Sequence, residues 1–118
     1  MLKRINRLRK RYQYQYIYKS GNFVSDKAVA IHYTTAKSNH IKVGFAVTKK
    51  IGGAIQRNHI RRRLREIIRN HLPNLKQNYN IILVAKEQIT NIDFENLSQQ
   101  IINLLKKADL FKNDEKNI

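Results

Sequence analysis

The chain has 118 residues, no cysteine, and 24 Lys+Arg against 8 Asp+Glu, a formal charge of +16 with a pI near 10.4. That length is one domain, able to bury roughly two-thirds of its unfolded surface in a single core. The missing cysteines exclude disulfides and thiolate metal sites, and the longest apolar run, residues 81–85, is far below the ~18–20 residues of a membrane span.

A charge this large repels itself and draws in polyanions, nucleic acid ahead of an anionic membrane. It is also unevenly spread. Residues 1–19 hold seven Lys/Arg and no acid; residues 49–69 hold eight and one acid, Glu66; from Glu87 onward six acids face four lysines. Two basic blocks on one chain are the footprint of a defined contact surface.

In chain order, MLKRINRLRKR (1–11) is a basic arm carrying Arg4, Arg7, Arg9, Lys10 and Arg11. No apolar stretch of signal-peptide length follows it, so a cytoplasmic location is expected. YQYQYIY (12–18) spaces four tyrosines by two. A first helix is expected over 12–19, pairing Tyr14 with Tyr18 and Tyr12 with Tyr16 at i,i+4, although β propensity argues for a strand. A left-handed cap at Gly21 should end it. The rings offer faces on which unstacked bases can sit, or equally serve as half-buried core.

KAVAIHYTT (27–35) alternates, with Val29, Ile31 and Tyr33 on one face and Ala28, Ala30 and His32 on the other. KVGFAVT (42–48) alternates again through Val43, Phe45 and Val47. Two period-two runs joined by a short polar loop predict an antiparallel hairpin. After Gly52-Gly53, a long helix is expected from about 54 to 71, stopped by Pro73. NIILVAK (80–86) reads as a central strand, and residues 92–108 as a last helix with Phe94, Leu97, Ile101, Leu104, Leu105 and Ala108 on one face. The tail, about 112–118, should fray. The order is α-β-β-α-β-α: an α+β fold, a small mixed sheet with helices packed on it.

RNHIRRRLRE (57–66) carries five arginines in ten positions. At about 100° per residue, Ile60, Leu64, Ile67, Ile68 and His71 form a buried stripe. Asn58, Arg61, Arg62, Arg65 and Arg69 share the next flank, with Arg63, His59 and Glu66 opposite. A solvated face held by pairing Glu66 with Arg62 or Arg63, at ~0.3–0.5 kcal/mol each, leaves most of this charge unexplained. Guanidinium forks suit phosphate better. Lys49, Lys50 and the two glycines lead into the helix start, where free N–H groups attract anions, though no GK[ST] follows to make a Walker loop.

No catalytic group stands out. Asp93 and Glu95 form a close acid pair, explained by the helix that begins there. His32, His40, His59 and His71 lack metal-ligand spacing. No metal and no cofactor is assigned to the protein itself.

KKIGGAIQRNHIRRRLRE (49–66) resembles the signature of bacterial ribonuclease P protein subunits, a KK(I/V)G segment leading into an RNxxxRxxRE helix. The likeness extends to the basic start, an aromatic first helix followed by Lys-Ser-Gly, strands in the same order and a closing LLKKA helix, over about residues 1–111.

The resemblance implies a single RNA-binding domain over 1–118, a two-layer α/β sandwich on a mixed four-stranded sheet with a left-handed βαβ crossover. It implies a protein monomer within an RNA–protein complex, assisting a catalytic RNA that uses Mg2+ to cut the 5′ leader from precursor tRNA. The RNR helix would contact the catalytic RNA through Arg57, Asn58, Arg61, Arg62 and Arg65. A cleft between first helix and sheet would hold the leader, with Tyr14, Tyr18, Phe23 and Tyr33 as its aromatics.

The chain departs from the family at His59, where Arg is frequent, at Gly53, where Asn or a basic residue is common, and in using tyrosine for phenylalanine in the first helix. A binding module without associated cleavage shares the charge and the tyrosines, and a protein-only nuclease is the third class.

Overall fold

The computed structural model of the chain describes residues 2–112. Its elements are α1 (Arg11–Ser20), β1 (Asn22–Ser25), β2 (Val29–Thr35), β3 (Lys42–Ala46), α2 (Ala54–Arg69), β4 (Tyr79–Ala85) and α3 (Phe94–Lys107), with short 3-10 turns at Arg4–Asn6, Leu72–Asn74 and Glu87–Asn91. The four strands form one sheet in the order β1-β2-β4-β3. β1/β2 and β2/β4 run antiparallel and β3/β4 parallel, so the sheet is mixed, as expected.

The hairpin expected between 27–35 and 42–48 does not form. β4 lies between those two strands and pairs with both. Its residues Ile81, Ile82 and Leu83 are all fully buried, so both of its faces need cover and only a central place supplies it. The parallel neighbour β3 then requires a crossover, which α2 provides. The real hairpin is β1–β2, closed where the Asp26 N–H donates to the Val29 carbonyl at 2.9 Å. The element order therefore holds one strand more than the alternation predicted, because four residues of mixed polarity are too short to carry a period.

Paired residues share a face, and the faces alternate along each strand. Val24, Ile31, Leu83 and Phe45 form one row, and Tyr33, Ile81 and Val43 belong to the same side. That side packs on α2 through Ile60, Leu64, Ile67 and Ile68, and on α3 through Leu97, Ile101, Leu104 and Leu105. Each fully buried Leu or Ile contributes about 1.5–3 kcal/mol by leaving water. The other side carries the row Phe23, His32, Ile82 and Gly44. α1 and the N-terminal segment cover it, Ile17 and Leu8 packing on Ile82 in a small cluster.

The helix ends are local chemistry. Asp93 caps α3, its Oδ1 accepting the Asn96 N–H at 2.8 Å. α1 ends at Gly21, but with φ −90 rather than the expected left-handed turn. Gly21 is needed for proximity: a Cβ there would stand 2.4 Å from the Tyr33 carbonyl oxygen. α2 stops at Arg69, so His71 lies beyond it, its ring edge-on to Phe111 at 6.0 Å. Pro73 sits in the 3-10 turn that follows.

Neither terminus is loose where it is described. Leu2 and Leu8 are buried, Arg7 bridges to Val43 on the edge of β3, and the Leu8 N–H donates to the Val43 carbonyl at 3.0 Å. Phe111 bridges to Leu75, and the Lys112 N–H donates to the Asn74 carbonyl at 2.8 Å. Lys112 is thus tied down, and the rest of the tail expected to fray, 113–118, lies outside the described residues.

Candidate nucleic-acid interface

α2 presents its arginines in different states. Arg61 is held in place: Nη1 donates to Asn58 Oδ1 at 3.1 Å and Nη2 to the Val47 carbonyl at 3.4 Å. Arg65 lies over the Phe45 ring, its guanidinium carbon 5.7 Å from the centroid. That packing leaves the planar fork free to accept an anion. Arg62 is exposed, and the half-buried Arg57 has an Nε with no acceptor among the described residues.

The remaining arginines serve the fold. Arg63 donates to the Ile92 carbonyl at 3.1 Å and lies 6.0 Å from the Phe94 ring, fastening α2 to α3. Arg69, expected on the phosphate-binding flank, instead pairs with Glu66 at 2.6 Å. Spacing alone allows Glu66 to serve Arg62 or Arg63; three residues further along the helix, Arg69 is as close and has no competing carbonyl. Lys49 and Lys50 are exposed in the turn ahead of α2, whose N-cap, Gly53, offers no side chain.

Tyr14 connects this flank to the sheet. Its hydroxyl donates to the Leu8 carbonyl at 3.3 Å, and its ring lies on Gly44, where a Cβ would come within 2.4 Å of the hydroxyl oxygen. Burial pushes the Tyr14 hydroxyl pKa up, against the pull of the Phe45 backbone and the Arg61 charge. Tyr14, Gly44, Phe45, Arg61 and Arg65 line one cavity of about 350 Å³ at the edge of β3, where the N-terminal segment turns away into α1. Arg7 and Arg9 close its other wall, and no carboxylate among the described residues lines it.

The cleft aromatics divide. Tyr18 and Phe23 face the sheet side covered by α1, and between them stands His32. The His32 ring lies edge-to-face with Tyr18 at 4.9 Å and stacks on Phe23 at 5.2 Å, 20° from parallel. Burial pushes the His32 pKa below its ordinary value, so the ring is neutral at pH 7; burial also raises that of Tyr18, and nearby Tyr14 adds to it.

Tyr33 does not join them. One residue on from His32, it projects to the opposite face and packs with Tyr79 over the main core, ring centroids 6.4 Å apart. Three residues of the site carry no signal in the sequence that marks them: His32, Phe45 and Gly44. Alternation does separate His32 from Tyr33, but nothing in the spacing says which face α1 covers.

Arg4, Arg7, Arg9 and Lys10 are all exposed in the N-terminal segment, whose backbone is fixed to β3 at Arg7, and Arg11 is exposed at the start of α1. Arg7 also folds back, its Nε donating to the Leu2 carbonyl at 3.0 Å. Among the described residues no group of three His, Cys, Asp or Glu is placed to hold a metal ion, and no helix is long and apolar enough to cross a membrane.

The family model described as ribonuclease P matches residues 2–109. The ribonuclease P protein component of Caldanaerobacter subterraneus is 31% identical over 116 residues, covering 98% of this chain and 100% of that one. That of Syntrophomonas wolfei is 33% identical over 118 residues, covering 100% and 99%. Among solved structures, the Staphylococcus aureus RNase P protein superposes with a TM-score of 0.84 at 28% identity, over 91% of this chain and 98% of that one. The Thermotoga maritima RNase P protein gives 0.78 at 26% identity, over 86% and 96%. The sequence signature, the four-stranded mixed sheet with its three helices and these likenesses agree: the chain belongs to the ribonuclease P protein family.

Proposed function

We propose that the chain is the protein subunit of a ribonuclease P whose catalyst is RNA, and that it binds both that RNA and the 5′ leader of precursor tRNA. The observation that carries this reading is the cavity at the edge of β3, where Arg61 and Arg65 of α2 meet Tyr14 of α1 and Phe45 of the sheet. Guanidiniums with no carboxylate opposite among the described residues suit phosphates, and flat rings beside them suit unpaired bases.

Leading away from that cavity, the row of Tyr18, His32 and Phe23 extends the ring surface along the sheet, the path a single strand would follow. Asn58 and Arg62 are exposed on the same helix, with the half-buried Arg57 beside them and Lys49 and Lys50 ahead, and this group suits the backbone of the catalytic RNA. The chemistry belongs to that RNA and its Mg2+. The protein's share is positional: neutralising phosphate charge where two RNAs meet, and holding the leader extended so that the scissile bond lies in the RNA's own site.

Reconstitution tests this. Added to a bacterial ribonuclease P RNA at low magnesium, the chain should stimulate cleavage of leader-bearing precursor tRNA. The protein freed of RNA should cut nothing. Absence of stimulation would favour a plain RNA-binding module, and cleavage by the RNA-free chain a protein-borne nuclease.

A further inference from the structure

Tyr12 and Tyr16 have no place in that reading. They lie one turn apart on the outer face of α1, 67% and 58% exposed, while Ile17 and Tyr14 turn toward the sheet. Tyrosine is not a strong helix former, and a solvent-facing stripe gains little from two bare rings.

Beside Tyr12 lies a second concavity, of about 360 Å³, surrounded by Arg4, Arg7, Arg9, Lys10 and Lys42. Among the described residues no carboxylate lines it. The backbone that carries its walls is held in place: Arg7 is bridged to Val43 and the Lys10 N–H donates to Gln13 Oε1 at 3.1 Å, while Lys42 Nζ donates to the Ile5 carbonyl at 3.3 Å. Arg7 and Arg9 also line the cavity at Arg61 and Arg65, so the N-terminal segment is a wall common to both.

We propose that this stripe and concavity form a second RNA-binding surface, in which unpaired bases of the catalytic RNA stack on Tyr12 and Tyr16 and their phosphates lie among the five cations. The inference rests on the functional reading above and goes beyond it in assigning the outer face of α1. The occupant is RNA because every charge that the described residues place at the concavity is positive. It is unpaired because duplex bases offer no free face to a side chain. It is the catalytic RNA rather than the leader because α1, about 10 Å across, stands between the stripe and the sheet face where the leader would lie.

Equilibrium binding of the full chain to a bacterial ribonuclease P RNA, without substrate, tests the assignment. Y12A/Y16A should weaken binding roughly ten-fold or more, since each stacked base contributes at least a few-fold. Y12F/Y16F keeps the rings and should stay within about two-fold. Alanine is the better helix former, so circular dichroism should be unaltered. R4Q/K10Q should flatten the log–log salt dependence by roughly 0.7 for each phosphate left without its cation, while Y12A/Y16A leaves the slope alone.

In the reconstituted enzyme, the ratio of affinities for precursor tRNA with and without a leader should not move in Y12A/Y16A. Wild-type-like RNA binding by Y12A/Y16A would overturn the proposal. So would a loss confined to leader-bearing substrate, which would give the stripe to the leader instead. A wild-type chain that fails to bind the RNA would sink the functional reading itself, and this inference with it.

Discussion

Gly44 is a single hydrogen atom where any other residue would put a carbon, and the ring of Tyr14 occupies that space. The ring in turn supplies one wall of the cavity that Arg61 and Arg65 enter. Gly44→Ala should therefore cost stability, about 1–3 kcal/mol by overpacking, and displace Tyr14. Tyr14→Ala removes the obstruction, so the double variant should be more stable than the sum of the two single losses predicts. Urea titration of all four proteins measures the coupling; strict additivity would mean that the ring and the new methyl do not collide.

At the same scale, Tyr33 and His32 show what one position decides. Both have rings and both lie on β2, yet one packs in the core and the other stacks between Tyr18 and Phe23. Alternation separates them correctly into two faces, but the family resemblance puts Tyr33 in the cleft, and it is the other face that α1 covers.

Among the elements, α2 combines three tasks on one cylinder. Its buried stripe of Ile60, Leu64, Ile67 and Ile68 is legible from spacing alone, because a helix of known period puts i, i+4, i+7 and i+8 on one side. The uses of its arginines are not, because the acceptors that decide them come from outside the helix: the Ile92 carbonyl for Arg63, and for Arg61 the Val47 carbonyl, which adds to the local contact with Asn58. Glu66, the one acid in the block, goes to Arg69.

That division gives a test at the level of the helix. R61A/R65A should flatten the log–log salt dependence of RNA affinity by about 0.7–0.9 for each of the two arginines removed. Arg69→Ala, which removes a surface ion pair of small value, should leave the slope nearly unchanged. An unaltered slope in R61A/R65A, or an equal effect of Arg69→Ala, would mean that the flank is not divided in this way.

For the molecule as a whole, a charge of +16 is a standing cost. The ion pairs among the described residues, Glu66–Arg69 and Lys76–Asp109, are at the surface, so there is little attraction for salt to weaken and much repulsion for it to screen. Stability should therefore rise as sodium chloride increases from tens to a few hundred millimolar, while RNA affinity falls over the same range. Urea midpoints at several ionic strengths check the first half; a midpoint that falls with salt would mean that attractive pairs dominate.

What the sequence determined by itself is whatever a local period or a composition can carry. The two basic blocks, the apolar stripes of α2 and α3, the central place of β4 and the arginine signature of the family all depend on residues near one another in the chain. Only the tertiary structure decided which strands are neighbours, which sheet face α1 covers, that the basic N-terminal segment lies along β3, and which arginines are tied into the fold. Each of those depends on partners far apart in sequence: β4 entering between β2 and β3 sets the register, and register fixes every side chain's face at once.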